Sequence, residues 1–495
     1  RGLGDVYKRQ ALSGIALLAS CDMDKFFELD RPESNPWLSV DDLEYSVADP
    51  YNTLFQNPNW QAPIGIIPYY QELVADLSTV NPQGAYEQEA LYWYPRQMST
   101  FDVTGQQFEK TFSILYRSVT GATSPLTYIE EKEKKGEPVF ANMTENDKKT
   151  LARQTGELYF MRGYTYWLIS RAFVAPYDPA GGEGNNRKFI PLINRLDYSQ
   201  ESARNPYMGT VKEVYDQMLS DFAKAKSLMP EDYFVRGRAN KFSAAMMLMR
   251  VKWLMGDKDG ALEEADYVIT KAEAGVAPFD LTEEPIVAFN RNAEQQYTVD
   301  PVSKEVMFEC AFTESNQGNN VAIPLARMCK TGIYNFKSKT FDASNKLWLE
   351  GARGSQNWQH GGWACAYWNP RLIKYIGWAV TDDPMDLTNY VPSAEALADK
   401  RFTQLHYFLK NYTDGGDKTI HEMAYNKTKW NAFWNDKYYR APYGKYSQVP
   451  LIRLAEAYLT RATLVLSKNA SQALGDVNKI RQRAGCLLYT SPSPR

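Results

Sequence analysis

Apolar residues between positions 211 and 229 recur at the three- and four-residue spacing that places them on one face of a helix. Thr210 and Glu213 have the spacing of a capping box at the start of this segment, and Pro230 is suited to end it. The pattern therefore predicts an amphipathic helix. Its apolar stripe consists of Val211, Val214, Tyr215, Met218, Leu219, Phe222, Ala225 and Leu228.

The same periodicity predicts two helical hairpins. In the first, residues 241–256 and 258–273 are joined at Gly256-Asp257, and the small residues Ala261 and Ala265 allow the helices to approach closely. This hairpin has the length of one tetratricopeptide unit. The second hairpin is predicted over residues 451–466 and 473–484.

Two further helix pairs are expected. A long helix over residues 147–173 should pack with the helix of residues 211–229, and residues 69–80 should pair with residues 106–119. One pair cannot bury its own apolar face, so several pairs together indicate a repeat-like scaffold. The predicted fold class is mainly α, with tetratricopeptide-like helical hairpins forming the scaffold.

Two long stretches differ from this helical pattern. Residues 174–209 and 274–449 are rich in Gly, Pro, Asn and aromatic residues, with only short strand-like runs such as Glu305 to Phe312. Long irregular segments inside compact proteins commonly carry function. We therefore expect the ligand site in the loop-rich insertion of about 274–449.

Composition narrows the classes of partner and cofactor. A net charge of -3 without a basic block lacks the electrostatic footprint of a nucleic-acid-binding protein. The three histidines, His360, His406 and His421, lie far apart, and no Cys or His pair has zinc-ligand spacing. We expect no cofactor and no structural zinc, while calcium bound by carboxylate and carbonyl oxygens stays open. Cys310, Cys329 and Cys365 favour free thiols over a disulfide framework, although one bridge is open.

The N-terminal region has the features of a bacterial lipoprotein signal. The apolar run Ala11 to Ala19 is too short to span a bilayer, and Leu18-Ala19-Ser20-Cys21 resembles a lipobox in which Cys21 would carry acyl chains. Two or more chains anchor a folded domain durably. Residues 1–10 and 486–495 resemble translated sequencing-adapter sequence. We therefore expect non-native tails at 1–10 and 486–495, a signal-peptide remnant at 11–20, and a C-terminally truncated domain at 21–485.

Three motifs inside the chain, together with the lipobox and its acidic follow-on Asp22-Met23-Asp24, resemble the SusD/RagB family of surface glycan-binding lipoproteins from Bacteroidetes. Residues 156–167 are similar to the family helix E-x-x-F-x-R-A-x-x-Y, and Asp399-Lys400-Arg401-Phe402 is similar to its D-P-R-[LF] turn, with Lys400 in place of proline. The most specific match joins residues 450–459 to residues 478–485. The family continues beyond its R-A-G with further helices, whereas here the suspect tail of residues 486–495 follows Gly485.

The resemblance implies a non-enzymatic lipoprotein on the outer face of the outer membrane. It would bind oligo- or polysaccharides and deliver them to a TonB-dependent, SusC-like transporter. Two alternatives stay open from the residues themselves. One is an α-helical glycoside hydrolase, for which Asp382, Asp383 and Glu395 are candidate carboxylates without a distinguishing pattern. The other is a helical-repeat scaffold that binds peptide or protein.

The charged residues of the motifs have the types expected of structural ion pairs. Glu157 with Arg162, and Arg453 with Glu456, are predicted to fix helix packing. Asp399 and Arg401 are predicted to fix a loop. We therefore expect the motifs to hold the fold rather than the ligand.

Ligand binding is assigned instead to aromatic residues in loops. Aromatic residues make up 14% of the chain, with 12 Trp and 33 Tyr. Some of them must be core, but a surplus of amphipathic rings in an exported protein also suits a surface that stacks on ligands, and composition alone does not separate the two. An indole face can cover the C–H face of a pyranose while nearby amides bind its hydroxyls. The first candidate cluster is Trp358, Trp363, Tyr367 and Trp368 with Asn357, Gln359, His360 and Asn369; the second is Trp60, Tyr92, Trp93, Tyr94 and Arg96.

Overall fold

The helices of the chain form a paired frame. The computed structural model describes residues 37–55, 63–75, 77–80, 106–197, 199–289, 303–311, 334–335, 340–341, 349–350, 366–381, 389–412, 430–435, 437 and 449–486. The helices in these ranges are α1 (Val40–Phe55), α2 (Pro63–Val74), α3 (Gln106–Lys134), α4 (Glu145–Phe173), α5 (Gln200–Arg204), α6 (Val211–Leu228), α7 (Lys241–Leu254), α8 (Lys258–Glu273), α9 (Pro370–Tyr375), α10 (Ala394–Ala398), α11 (Lys400–Leu405), α12 (Leu454–Val465) and α13 (Ala470–Arg483).

The strands of the described residues are short and form small sheets. They are β1 (Ser78–Val80), β2 (Lys188–Pro191), β3 (Met208–Thr210), β4 (Val306–Cys310), β5 (Tyr334–Asn335), β6 (Thr340–Phe341), β7 (Leu349–Glu350), β8 (Ala366–Trp368), β9 (Ala379–Val380), β10 (Val391–Pro392), β11 (His406–Tyr412), β12 (Trp430–Asn435) and β13 (Val449–Arg453). Antiparallel pairs join β1 to β8, β2 to β3, β4 to β13, β5 to β6 and β9 to β10. In a three-stranded sheet, β11 is antiparallel to β12 and parallel to β7.

The predicted helices of the frame are confirmed. Helix α6 begins at a capping box in which Thr210 Oγ1 accepts from the Glu213 amide at 3.2 Å and the Thr210 amide donates to Glu213 at 2.8 Å. Helices α4 and α6 pack together, as do α7 with α8 and α12 with α13. Gly256, with φ of 86°, makes the predicted turn between α7 and α8. The fold class is the expected one, a mainly helical scaffold of paired helices.

Two of the predicted elements are wrong. Helix α3 packs against α1 and α4 far more than against α2, its predicted partner, and residues 78–80 form strand β1 instead of extending a helix. Leu451 belongs to strand β13, so the helix predicted from residue 451 begins at Leu454. Pairing with β4 explains this difference, because Ile452 lies opposite Phe308 and the ladder takes the backbone bonds that a helix would use.

Strand β4 lies at the centre of the main core. Phe308 contacts Phe160 and Tyr164 of α4, with ring centroids 5.1 and 5.6 Å apart, and it also contacts Tyr51 of α1. The predicted strand-like run of residues 305–312 therefore connects the insertion to the helical frame. Cys310 of this strand is a buried free thiol.

A second, smaller core lies within the insertion. It is separate from the main core and is built from residues of α9, α10, α11, β9, β12 and the segment before β10. The side chains of Trp368 and Trp378 pack against it. We call it the satellite core, and its buried members are Ile373, Ala379, Tyr390, Ala396, Phe402 and Phe433.

The length and hydrophobicity of the described helices bear on whether any of them could span a membrane. None of those in the ranges given above is both long enough and apolar enough to cross a bilayer.

Candidate functional site

Most of the predicted ligand-binding side chains lie outside the described residues. Of the candidates, the structure describes the side chains of Trp368 and Asn369 and the backbone of Tyr367. The lipidation candidate Cys21 also lies outside the described residues. The other candidates outside them are Trp358, Trp363, Asn357, Gln359, His360, Trp60, Tyr92, Trp93, Tyr94 and Arg96.

A small sheet pairs two strands that are close in sequence to the predicted aromatic clusters. Strand β8 contains Tyr367 and Trp368 of the first cluster, while β1 lies between Trp60 and residues 92–96 of the second. The strands are antiparallel, with Val80 opposite Ala366 and Ser78 opposite Trp368, and the Asn369 amide extends the ladder by donating to the Leu77 carbonyl at 3.0 Å. Because Val80 and Ala366 are paired, the chain leaves toward residue 81 at the same end of the sheet where it arrives from residue 365.

The ring of Trp368 is packed within an aromatic layer. It stacks on Trp378 with centroids 5.9 Å apart and an interplanar angle of 26°, and it meets the ring of His406 edge-on at 4.7 Å. Trp378 occupies one indole face, so a sugar could stack only on the other. The indole N–H is buried and has no hydrogen-bond partner among the residues that the structure describes.

This aromatic layer continues into the satellite core. Trp378 and His406 both contact Phe402, and Phe402 lies 5.1 Å from Phe433. Tyr390 stacks on Phe433 at 5.5 Å, and burial raises the pKa of its phenol well above the usual value. Through Trp368, the layer therefore supports β8, which also pairs with β1.

Sequence reasoning missed Trp378 and His406 as parts of this layer. They lie 10 and 38 positions beyond Trp368, so no local spacing connects the three residues. His406 is the first residue of β11, which pairs with β12 in the satellite region. A tertiary contact of this kind gives no periodic signal along the chain.

Asn369 has a local structural role. Its side-chain oxygen accepts from the Arg371 amide at 3.0 Å and so caps α9. Pro370 follows at the first helical position, where its missing N–H costs nothing. The amide predicted to bind sugar hydroxyls is therefore used to start the helix that follows β8.

The D-x-R turn and the R-A-G motif meet in one structural cluster. Arg401 donates from Nη2 to Asp399 at 2.6 Å, which confirms the predicted loop-fixing pair. Burial raises the pKa of Asp399, but the hydrogen bonds from Arg401 outweigh it and hold the pKa below its usual value. The Lys400 amide donates to the carbonyl of Ala484 at 2.8 Å. The two motifs thus fasten the last hairpin to the insertion.

The predicted partners of the other motif charges are wrong, although their structural role is right. Glu157 accepts from Arg153 and Arg238 at 2.6 Å each, while Arg162 binds Asp221. Arg453 binds Glu305 at 3.1 Å. Glu456 is held by Arg250 of α7, with both contacts at 2.6 Å. Of these five pairs, only Arg153 with Glu157 lies within one helix.

Only one of the three candidate catalytic carboxylates lies among the described residues. Glu395 is exposed in the first turn of α10, and residues 382–383 lie outside the described residues. Among the residues placed by the structure, no group of three or more His, Cys, Asp or Glu side chains could hold a metal ion.

Comparison with known proteins agrees with the fold and the motifs. A family model described as starch-binding associating with outer membrane matches residues 56–252. A SusD-like protein, P2, from Formosa agariphila is 25% identical over 352 residues, which cover 70% of this chain. The chain spans 58% of the length of that relative.

Solved structures share the fold over most of the chain. A SusD-like carbohydrate binding protein from Bacteroides vulgatus is 15% identical, with a TM-score of 0.60 and coverage of 92% of this chain and 77% of that one. A SusD homolog from Bacteroides thetaiotaomicron is 17% identical, with a TM-score of 0.59 and coverage of 94% and 82%. A mainly helical frame with a loop-rich insertion defines the class. In part of its sequence and in its fold the chain is similar to SusD-like proteins, in agreement with the resemblance of its motifs.

Proposed function

We propose that this protein binds glycans on the cell surface without cleaving them. The observation that carries the proposal is the pairing of β1 with β8, because the sequence that follows β1 and the sequence that leads into β8 each contain aromatic candidates. Planar rings from both segments would cover sugar rings, with amides supplying hydrogen bonds. The description of the matching family model as starch-binding supports the same class of ligand.

The expected free energies of stacking and hydrogen bonding favour a weak and reversible binding site. Two or three stacking contacts at about 0.5 to 1.5 kcal/mol each, with a few hydrogen bonds at about 1 kcal/mol each, correspond to a Kd between roughly millimolar and tens of micromolar. A polymer presents the same epitope many times, which raises its effective concentration. Rapid release from each site would then allow transfer to another protein.

The proposed receiver is a TonB-dependent, SusC-like transporter in the outer membrane. We propose that acyl chains on Cys21 hold the protein there, facing outward, because the lipobox resembles the signal of exported lipoproteins. Expression with Cys21→Ala should move the protein from the membrane fraction to the soluble fraction. Retention of that variant in the membrane fraction would contradict anchoring through Cys21.

Affinity electrophoresis in gels containing a panel of polysaccharides tests glycan binding. Trp358→Ala and Trp363→Ala should each weaken retardation by about 2- to 10-fold in Kd, which is the value of one stacking contact. Tyr45→Ala is the matched control, because Tyr45 is 83% exposed on α1 and belongs to neither aromatic cluster. It should leave retardation unchanged.

Two results would overturn the binding proposal. Sustained release of reducing sugars that is abolished by Asp382→Asn, Asp383→Asn or Glu395→Gln would identify a glycoside hydrolase. Failure to bind any glycan, together with peptide binding that needs Trp358 or Trp363, would instead support the protein-binding alternative.

A further inference from the structure

A groove on the helical frame is lined by residues of α6, α7, α8 and the loop after α6. It encloses about 560 Å³ and lies away from β1 and β8. Leu219 and Leu248 contribute apolar surface, while Lys226, Lys241, Lys252 and Glu264 contribute charge. We call it the lysine groove.

The charges of the lysine groove do not balance. Glu264 is buried and accepts from two lysines, with Lys226 Nζ at 2.7 Å and Lys252 Nζ at 2.9 Å. Lys241, at the first position of α7, lines the same groove and has no hydrogen bond or ion pair with any described residue. One carboxylate therefore contacts two ammonium groups, while Lys241 acts on Glu231 without a direct contact and helps to lower the pKa of that carboxyl.

The remaining carboxylate of the groove is already engaged. Glu231 is bound by Lys271 at 3.1 Å and accepts from the Tyr267 hydroxyl at 3.1 Å. The groove lining carries three lysines and two glutamates, which leaves an excess of one positive charge in a chain of net charge -3. The groove is thus locally basic, although the protein as a whole is acidic.

The combination of positive charge and leucine side chains indicates which class of ligand could bind in the groove. A long polyanion such as nucleic acid would bind the lysines but would be repelled by the acidic remainder of the chain. The ring of Tyr267 is covered by Lys226, 4.3 Å from its centroid, and by Phe242, stacked at 5.7 Å. It offers no open face to a sugar. A short peptide carrying both carboxylates and apolar side chains matches the charge and the apolar surface together.

We propose that the lysine groove docks an acidic segment of a partner protein, with a carboxylate against Lys241 and an apolar side chain against Leu219 and Leu248. The site is separate from the proposed glycan surface, and its occupancy does not depend on glycan binding.

Fluorescence anisotropy with labelled twelve-residue peptides tests the proposal on the full chain. The peptides contain Glu and Leu spaced by Ser and Gly, and a matched set has Gln in place of every Glu. We expect the acidic set to bind at least about 10-fold more tightly, corresponding to about 1.4 kcal/mol. Added salt should weaken this binding, because the lysines are accessible to solvent.

Three variants separate the groove from general charge effects. Lys241→Glu should weaken acidic-peptide binding at least about 10-fold, and a helix N-terminus tolerates the new carboxylate well. Ala223→Phe should weaken it similarly by filling the groove, since Ala223 is an exposed lining residue. Lys258→Glu is the matched control, because it makes the same charge change at the first position of α8, outside the groove lining. It should alter binding less than about 2-fold.

Three outcomes would overturn the proposal. The first is that no acidic peptide binds at millimolar concentration, and the second is equal binding to the wild type and Lys241→Glu. The third is binding of oligogalacturonate, but not of peptide, in a manner that requires Lys241. None of these results would bear on retardation by glycans through Trp358 or Trp363.

Discussion

Arg162 is a buried guanidinium whose charge is met by a carboxylate from another helix. Its Nη2 and Nε atoms donate to the two oxygens of Asp221 at 2.7 and 2.9 Å, and its Nη1 donates to the Asn194 carbonyl. Both charged side chains are almost fully removed from water. A pair of this kind is costly to break, because the remaining partner keeps its desolvation penalty without compensation.

Replacement of Arg162 by methionine should therefore lower the free energy of unfolding by about 3 to 5 kcal/mol, as measured by urea denaturation. The double variant Arg162→Met with Asp221→Leu should recover much of this loss, because no unpaired charge remains. Lys212→Met is the control, since its pair with Asp216 is exposed and its loss should leave the unfolding midpoint unchanged. Equal loss in the single and double variants would contradict the assigned cause.

The pH dependence of Arg162→Met gives an independent check. Burial raises the pKa of Asp221, and the variant lacks the guanidinium that opposes this rise. A carboxyl whose pKa is higher in the folded than in the unfolded state favours folding at low pH, and that advantage is lost as pH rises through the folded pKa. The difference in stability between wild type and variant should therefore shrink from about pH 7 to about pH 5.

The partner of Arg162 could not be predicted from the sequence. Glu157 was the expected partner, but residues five apart lie about 140° apart around a helix and do not share a face. Asp221 is 59 positions away, on α6, where its helical position has no special motif. By contrast, Asp399 and Arg401 are two positions apart, so a local turn could bring them together as predicted.

Helices α4 and α6 approach closely where two motif glycines lie. A Cβ at Gly163 would be 3.0 Å from Phe222 Cε1 and 3.1 Å from Asp221 Cβ, and one at Gly156 would be 2.7 Å from Met229 Cγ. Glycine normally weakens a helix interior by about 0.5 to 1 kcal/mol relative to alanine. Here its absence of a side chain permits the packing that the frame requires.

Gly163→Val should therefore destabilise the protein by about 1 to 3 kcal/mol through overpacking between α4 and α6. Gly475→Ala in α13 is the matched control, because a Cβ there would contact nothing within 4 Å. That substitution should stabilise the protein by about 0.5 to 1 kcal/mol. Both changes in the free energy of unfolding can be measured by thermal or urea denaturation. Stabilisation by Gly163→Val would show that α4 and α6 can move apart without cost.

At the scale of elements, the sequence predicted where helices lie better than it predicted which elements they pack against. Thr210 and Glu213 form a cap from residues three positions apart, so local spacing was sufficient for α6. Helix α1 contains Pro50 near its middle, which weakened its helical pattern, and its stability comes from packing on α3. Strand β13 could not be distinguished from the start of a helix, because its ladder partner β4 is about 140 positions earlier.

At the scale of the whole molecule, the helical frame contains the main core and the insertion contains the satellite core. The main core includes residues of α1 to α4, α6 to α8 and β4, whereas the satellite core belongs to the segments around β8, β9 and β12. The predicted fold class, a mainly helical scaffold, is confirmed, because the periodic apolar positions of the frame helices are local signals in the sequence. The ligand side chains themselves remain predictions, because only Trp368 and Asn369 among them are described with their side chains.

Two separate cores predict two levels of stability. Phe433 is 1% exposed and contacts Phe402 and Tyr390 within the satellite core. Phe433→Ala should remove about 3 to 5 kcal/mol of packing from this region. Hydrogen exchange should then speed up over residues 389–412 and 366–381, while α4, α6 and α7 keep their protection, because local units can open without global unfolding.

The matched control is Phe222→Ala in the main core, where the side chain is fully buried against Phe160. Its cost of about 3 to 5 kcal/mol should appear as faster exchange in the frame helices and as a lower global unfolding midpoint. Because β8 is supported by the satellite core, Phe433→Ala should also weaken retardation by glycans while leaving acidic-peptide binding at the lysine groove intact. Uniform acceleration of exchange across frame and insertion in Phe433→Ala would mean that the two cores unfold as one unit.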